Sequence, residues 1–307
     1  MQHAILQRLR KYARTVALCV GAAGALVVLG GTPAPATGAG APVPCADCHD
    51  QATASFNSSY HAKAWKGANG CQSCHGPTDQ HLNKEQSKQT IISFSKDGGR
   101  SAKERAAQCL TCHGSSNHVA FWETSKHKSA GMACDSCHTG HSNLPKNLKK
   151  PQSELCYSCH KDIRSQANRQ SHHPIREGKV SCSDCHDPHG GFGNKMIKAD
   201  SVNELCFKCH ADKRGPYMWE HPPVEENCMI CHTAHGSNHT KLLTRKGPNL
   251  CQSCHDWTQH PGGPYTAAGN FTEPTPAKQM IARNCLNCHN NVHGSNGPGV
   301  RGLRFVR

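Results

Sequence analysis

Apolar residues gather in one stretch of the chain and are thinly spread elsewhere. Thr15 to Gly30 carries no charge. It follows the positive cluster Arg8, Arg10, Lys11 and Arg14 and precedes the small-residue sequence Ala34-Pro35-Ala36. A positive n-region, a short apolar h-region and an A-x-A-like site make a secretory signal, so residues 1–36 are expected to be removed on export. After Pro44 no apolar run is long enough to cross a bilayer as a helix. Large aliphatic and aromatic side chains are sparse there. The pattern predicts short helical turns joined by loops rich in Gly, Pro, Ser and Asn. Lys84 to Glu104 and Pro264 to Lys278 are the expected surface loops.

So few apolar positions leave the core unexplained, and the cysteines explain it. Twenty of the 21 cysteines fall into ten copies of Cys-x-x-Cys-His, the attachment signature of c-type haem. They are Cys45/Cys48/His49, Cys71/Cys74/His75, Cys109/Cys112/His113, Cys134/Cys137/His138 and Cys156/Cys159/His160. The series continues with Cys182/Cys185/His186, Cys206/Cys209/His210, Cys228/Cys231/His232, Cys251/Cys254/His255 and Cys285/Cys288/His289. Residues three and four apart share one face of a helical turn. Both thiols can thus form thioethers to one porphyrin, and the following His can bind its iron. Zinc knuckles do not need a His after every second Cys. Ten haem c groups in one domain, residues 37–307, leave roughly 27 residues for each, too few for an ordinary core. The expected fold is a multihaem cytochrome c, with little regular secondary structure and short helices and loops around a linear haem chain.

The formal charge of +14 changes meaning once haem is counted. Four of the positive charges lie in the signal segment. Ten haems would bring roughly 20 propionate charges against about one positive charge per ferric iron, leaving the oxidised protein near neutral. No lysine-rich stripe with interleaved aromatics is present, so nucleic acid is not an expected partner.

The motifs form pairs. In Cys109 to His141, Cys156 to His189 and Cys206 to His235, a first motif is followed by a His, then by a second motif with a His three residues on; Cys45 to His81 and Cys251 to His293 are looser copies. Each unit should contact mainly its neighbours. The sixth position of each iron decides function. The repeat selects ten distal candidates: His61, His127, His173, His221 and His260 in mid-unit, and His81, His141, His189, His235 and His293 late. His118, His172 and His239 are spare, and His173 is preferred to His172 because Pro follows it, as at His221 and His260. Three residues span only about 10 Å when extended, so His141, His189 and His235 should serve a neighbouring haem; which neighbour stays open. The methionines follow no repeat and are expected to be packing residues. Gly after the late His (Gly190, Gly236, Gly294) is expected to let backbone approach a flat ring.

The chain resembles the decahaem cytochromes of the MtrA/DmsE type. The resemblance rests on the ten motifs, on Ser171-His172-His173-Pro174 and Glu177-Gly178-Lys179-Val180, on His221-Pro222-Pro223-Val224, and on Cys285-Leu286-Asn287-Cys288-His289 with His293-Gly294-Ser295-Asn296. It implies two pentahaem halves, about 37–170 and 171–307. It also implies an electron conduit in which the cytochrome sits inside an outer-membrane β-barrel porin. An extracellular multihaem cytochrome would lie beyond it, and periplasmic or inner-membrane cytochrome donors would feed it. The expected location is the periplasm, at the outer membrane through the porin. The expected role is electron transfer, not catalysis. A freely diffusing periplasmic shuttle is the alternative. A multihaem reductase is a further one, but it needs an open iron, and no motif carries Lys in place of its His.

Overall fold

A computed structural model describes residues 45–64, 70–83, 86–255 and 284–306. The signal segment, His260, Met280 and the expected loop from Pro264 to Lys278 lie outside the described residues. Within residues 44–307, one compact unit, the elements are short. The longest among the described residues is the helix Ala102–His113. Ser101 caps it, its hydroxyl accepting from the Glu104 amide while the Glu104 carboxylate accepts from the Ser101 amide, so two orphan donors are satisfied at once. Its last turn carries Cys109, Cys112 and His113. The sheet consists of two residues on each side: Ser171–His172 pairs antiparallel with Gly236–Ser237. This is the expected multihaem cytochrome c architecture of short helices and loops.

The core is equally spare. Among the described residues the buried apolar side chains are Ala106, Trp122, Ala133, Tyr157 and Ala167, and the largest fully buried ones are Ser59 and Ser125. These cannot hold a chain of this length together by apolar burial, at about 25 cal/mol per Å². The buried charge is paired: Arg105, on the helix of the third motif, bonds the half-buried Asp135 between the cysteines of the fourth at 3.1 Å. Both Met218 and Met229 are exposed, so they are not packing residues as expected.

A second device recurs three times. After the second motif of each central pair the chain makes a tight turn in which two consecutive non-glycine residues are left-handed: Lys146–Asn147, Lys195–Met196 and Lys241–Leu242, with φ between 52° and 60°. Each turn folds back on its motif. The Thr139 amide donates to Asn147, that of Asp187 to Met196 and that of Thr233 to Leu242, all at 2.7–2.9 Å. Left-handed backbone costs about 1–2 kcal/mol per residue outside glycine, so the surroundings must hold it.

Lys84 to Glu104 is not a free surface loop. From Ser87 onward it turns back over the second motif: the Ile92 amide donates to the His75 carbonyl at 2.8 Å, and Ser93 is buried. The glycines after two of the late histidines let backbone come close to other parts of the protein. A Cβ on Gly190 (φ +114°) would lie 2.3 Å from the Phe121 carbonyl oxygen, and one on Gly294 (φ +140°) 2.0 Å from the Tyr217 ring.

Candidate haem sites

Nine motif histidines face a second imidazole. The ring centroids are 6.1 Å apart in His49–His81, His61–His113, His127–His160, His186–His235, His221–His255 and His232–His293. They are 6.2 Å apart in His75–His141, 5.8 Å in His138–His189 and 6.3 Å in His173–His210. A metal–imidazole bond is about 2.0 Å, and the nitrogen sits roughly 1.1 Å from the ring centre. Two imidazoles on opposite faces of one iron therefore have centroids about 6.2 Å apart. The pairs stand at the separation that an iron between them requires. The partner of the tenth motif His, His289, is not described; His260 lies outside the described residues.

The order of pairing is regular. The mid-unit histidines reach forward, from His61 to His113, His127 to His160, His173 to His210 and His221 to His255. The late ones reach back, from His141 to His75, His189 to His138, His235 to His186 and His293 to His232. Each boundary between units is crossed twice, in opposite directions. At the N-terminal end His81 faces His49 within its own unit. His172 faces no motif His; its Nδ1 bonds the Arg169 carbonyl at 2.6 Å and its Nε2 the Glu177 carboxylate at 3.1 Å.

The rings are oriented through Nδ1. A backbone carbonyl can only accept, so Nδ1 carries the proton and Nε2 is left for a metal. On the motif side His75 donates to Ile92 at 2.9 Å, His138 to Lys146 at 2.8 Å, His186 to Lys195 at 3.1 Å, His232 to Lys241 at 2.8 Å and His289 to Arg304 at 2.6 Å. Among the histidines outside the motifs His141 donates to Ala52 at 2.9 Å, His127 to Pro188 at 2.9 Å and His221 to Val292 at 3.0 Å, and His173 donates to Ala234. Three of these acceptors are the left-handed lysines. Their strained φ points a carbonyl at the imidazole eight or nine residues upstream. Sequence reasoning passed over them, although Lys146, Lys195 and Lys241 recur at matching distances from their motifs. Burial also holds His61, His75, His189, His221, His235 and His293 below the usual imidazole pKa. A neutral ring is the form that binds metal.

The twenty motif cysteines are not placed alike, although the motif treats them as equals. The first cysteine of every motif is half-buried. The second is exposed in Cys48, Cys112, Cys159, Cys209 and Cys254, which belong to the first motif of each unit, and in Cys288; in Cys74, Cys137, Cys185 and Cys231 it is half-buried. In the first motif Cys48 closes the four-residue helix Cys45–Cys48, none of whose residues is buried, so its thiol is left open by the protein itself. An open thiol is accessible to a ring vinyl group, and exposure here is compatible with attachment.

Consecutive motifs touch through their cysteines in alternation. First cysteines meet within a unit, as Cys109 with Cys134 and Cys156 with Cys182. Second cysteines approach across a boundary, as Cys74 to Cys112, Cys137 to Cys159, Cys185 to Cys209 and Cys231 to Cys254. Neighbours along the sequence are thus neighbours in space.

Paired Cys-x-x-Cys-His turns facing oriented imidazoles, with hardly any apolar core, define a multihaem c-type cytochrome. The comparisons with known proteins narrow the class. A family model described as a doubled CXXCH motif matches residues 127–165, 172–215 and 221–260. The multiheme cytochrome MtrA of Shewanella baltica is 39% identical over 236 residues, covering 76% of this chain and 70% of its own length. The C-type polyheme cytochrome OmcB of Geobacter sulfurreducens is 25% identical over 200 residues, covering 50% of this chain and 25% of its own length. The chain belongs to the MtrA family of multihaem c-type cytochromes. It binds haem covalently and transfers electrons.

The matched units are displaced by one motif from the pairs read in the sequence. Each opens at or just before a mid-unit His and closes beyond the next first motif. His127 and His160, His173 and His210, and His221 and His255 therefore each fall inside one matched unit.

Proposed function

We propose that this chain carries ten haems, each held between two imidazoles, and conducts electrons between the periplasm and the outer membrane or cell exterior from inside a β-barrel porin. The observation that carries this reading is the pairing of nine motif histidines with a second imidazole at 5.8–6.3 Å. When bound, each haem iron would supply a one-electron couple. The chain's residues do the rest. The ten cysteine pairs, from Cys45 and Cys48 to Cys285 and Cys288, anchor the rings in sequence order. His49, His75, His113, His138, His160, His186, His210, His232, His255 and His289 bind one face. His81, His141, His61, His189, His127, His235, His173, His293, His221 and, for His289, His260 bind the other. Two imidazoles per iron close the coordination sphere, so the reading is electron transfer without a substrate site.

No described helix is long and apolar enough to cross a membrane. A conduit role then needs a partner whose own surface faces lipid. A closed barrel can satisfy its backbone in lipid and still hold a polar or plugged lumen. A chain poor in apolar residues suits such a lumen, and the similarity to MtrA supports a place at the outer membrane. The test is reconstitution with a cognate barrel in liposomes that enclose a redox dye. An external reductant should reduce the dye only when both proteins are present. A cytochrome that remains monomeric beside the barrel, with no dye reduced, would replace the conduit by a diffusing periplasmic shuttle.

A further inference from the structure

We propose that Asp187 sets the haem held by Cys134 and Cys137 apart from its counterparts, keeping it at a lower reduction potential through a fixed negative charge beside the axial ligand His189. The inference rests on the proposed ligand pair His138–His189.

The Asp187 carboxylate lies 3.7 Å from His189 Nδ1. The same oxygen accepts the His189 backbone N–H at 3.0 Å, which fixes it beside the ring. The His189 ring makes a hydrogen bond to the His118 backbone, and among charged groups Asp187 acts most strongly on this imidazole. The site is partly closed to water. His189 and Asp187 keep about a third of their side-chain surface, and the buried Trp122 stands edge-on to the His189 ring at 6.5 Å. A charge so placed is less screened than one in open solvent.

The repeat shows that the turn does not need this charge. Two residues before the late His, the other central units have Thr139 and Thr233. The Thr139 hydroxyl accepts the His141 backbone N–H at 3.3 Å, the same bond that Asp187 makes. The carboxylate is therefore an addition to a turn that a neutral hydroxyl builds equally well. Charges near two other late histidines oppose one another: Asp162 and Lys195 at His235, Asp212 and Lys213 at His293.

The step affected is simple. Ferric iron takes one electron from an electrode or soluble mediator, no bond breaks, and the site's charge falls by one. A nearby carboxylate stabilises the ferric side of that couple and disfavours the ferrous side. A charge this close to the axial imidazole would act through space on the iron that the ring holds.

The test is a mediated potentiometric titration of the full haem-loaded protein, following the ferrous α-band, with Asp187→Asn and Asp187→Thr compared to wild type. In both variants one tenth of the amplitude should move to higher potential, with all haems still low-spin and the remaining nine tenths superimposable. Asp187→Glu should move it back towards the wild-type position. Superimposable curves for Asn and Thr would overturn the proposal. So would a shift in Asn that Thr does not share, because it would trace to the turn and not to the charge. His189→Ala separates this from the pairing beneath it: a fully low-spin His189→Ala protein would overturn the pair His138–His189 itself.

Discussion

Removing the His189 imidazole tests the pairing at a position where sequence distance and space disagree. His189 lies three residues from His186, yet its ring stands 5.8 Å from that of His138. In His189→Ala the haem on Cys134 and Cys137 should lose its distal ligand while the one on Cys182 and Cys185 keeps His235. One iron in ten becomes high-spin, so one tenth of the low-spin absorbance is lost. Stability should fall too. The His138–iron–His189 link closes a loop of about 50 residues, and the chain-entropy relation for such a closure gives about 4 kcal/mol. That is an upper bound, because the His127–His160 link already shortens the same loop. The assay is low-spin amplitude and CO binding, with intact mass confirming full haem loading. Double variants assign the site. His138→Ala with His189→Ala should still cost one tenth, whereas His186→Ala with His189→Ala should cost two. The reverse pattern would refute the assignment of His189 to its distant neighbour.

Other outcomes follow from the same geometry. Intact mass should exceed that of the processed chain by ten haems, and nine or fewer under full maturation would break the proposed count. The ring planes of His61–His113, His75–His141 and His127–His160 cross at 74–82°, while those of His49–His81, His138–His189, His186–His235, His221–His255 and His232–His293 cross at 14–24°. Ferric haems with crossed planes give axial-type paramagnetic resonance signals and those with aligned planes rhombic ones, so both classes should be present, and a single class would contradict the ligand orientations. Lys195→Gly should leave the spectrum unchanged and raise the unfolding midpoint by the equivalent of about 1 kcal/mol, since it removes left-handed strain; a lower midpoint would mean the lysine side chain contributes. Gly190→Ala should destabilise by more than about 1 kcal/mol because the new Cβ meets the Phe121 carbonyl, and a neutral result in thermal unfolding would contradict that contact.

The covalent chemistry was legible because it is written in residue type and spacing. A Cys-x-x-Cys-His turn needs nothing from elsewhere in the chain to be recognised. The reach argument for His141, His189 and His235 was equally local, and each of these rings stands opposite a motif His of the neighbouring unit. What stayed hidden depends on distant parts of the chain. Nothing near His127 says that its ring will face His160, because that follows from how two turns stack. The unequal exposure of Cys48 and Cys45 was hidden in the same way, since the motif fixes their spacing and not what packs on them. The acceptors of the Nδ1 protons were hidden for a different reason. A carbonyl belongs to every residue, so only the left-handed φ of Lys146, Lys195 and Lys241 marks these as special, and lysine is not a residue that advertises it. The polar run after Lys84 looked like a loop because it is not apolar, but in a protein without an apolar core polarity says little about burial.

The two-way crossing of each boundary changes what kind of repeat this is. In a simple stacked array, stability is a sum of units and nearest-neighbour faces, and an end can fray without harming the rest. Here the unit from Cys109 to His141 presents His141 to His75 behind it and His127 to His160 ahead, while its own motif histidines face His61 and His189 from either side. Melting that unit would strip imidazoles from both neighbours and leave two of its own without partners. Local opening therefore cannot be confined to one unit at low cost. In the unit from Cys45 to His81 the late ring, His81, faces His49 of the same unit. With so little apolar burial among the described residues to spread cooperativity, the exchanged imidazoles would carry it under the proposed ligation, so that the order of the haems and the integrity of the fold would rest on the same residues.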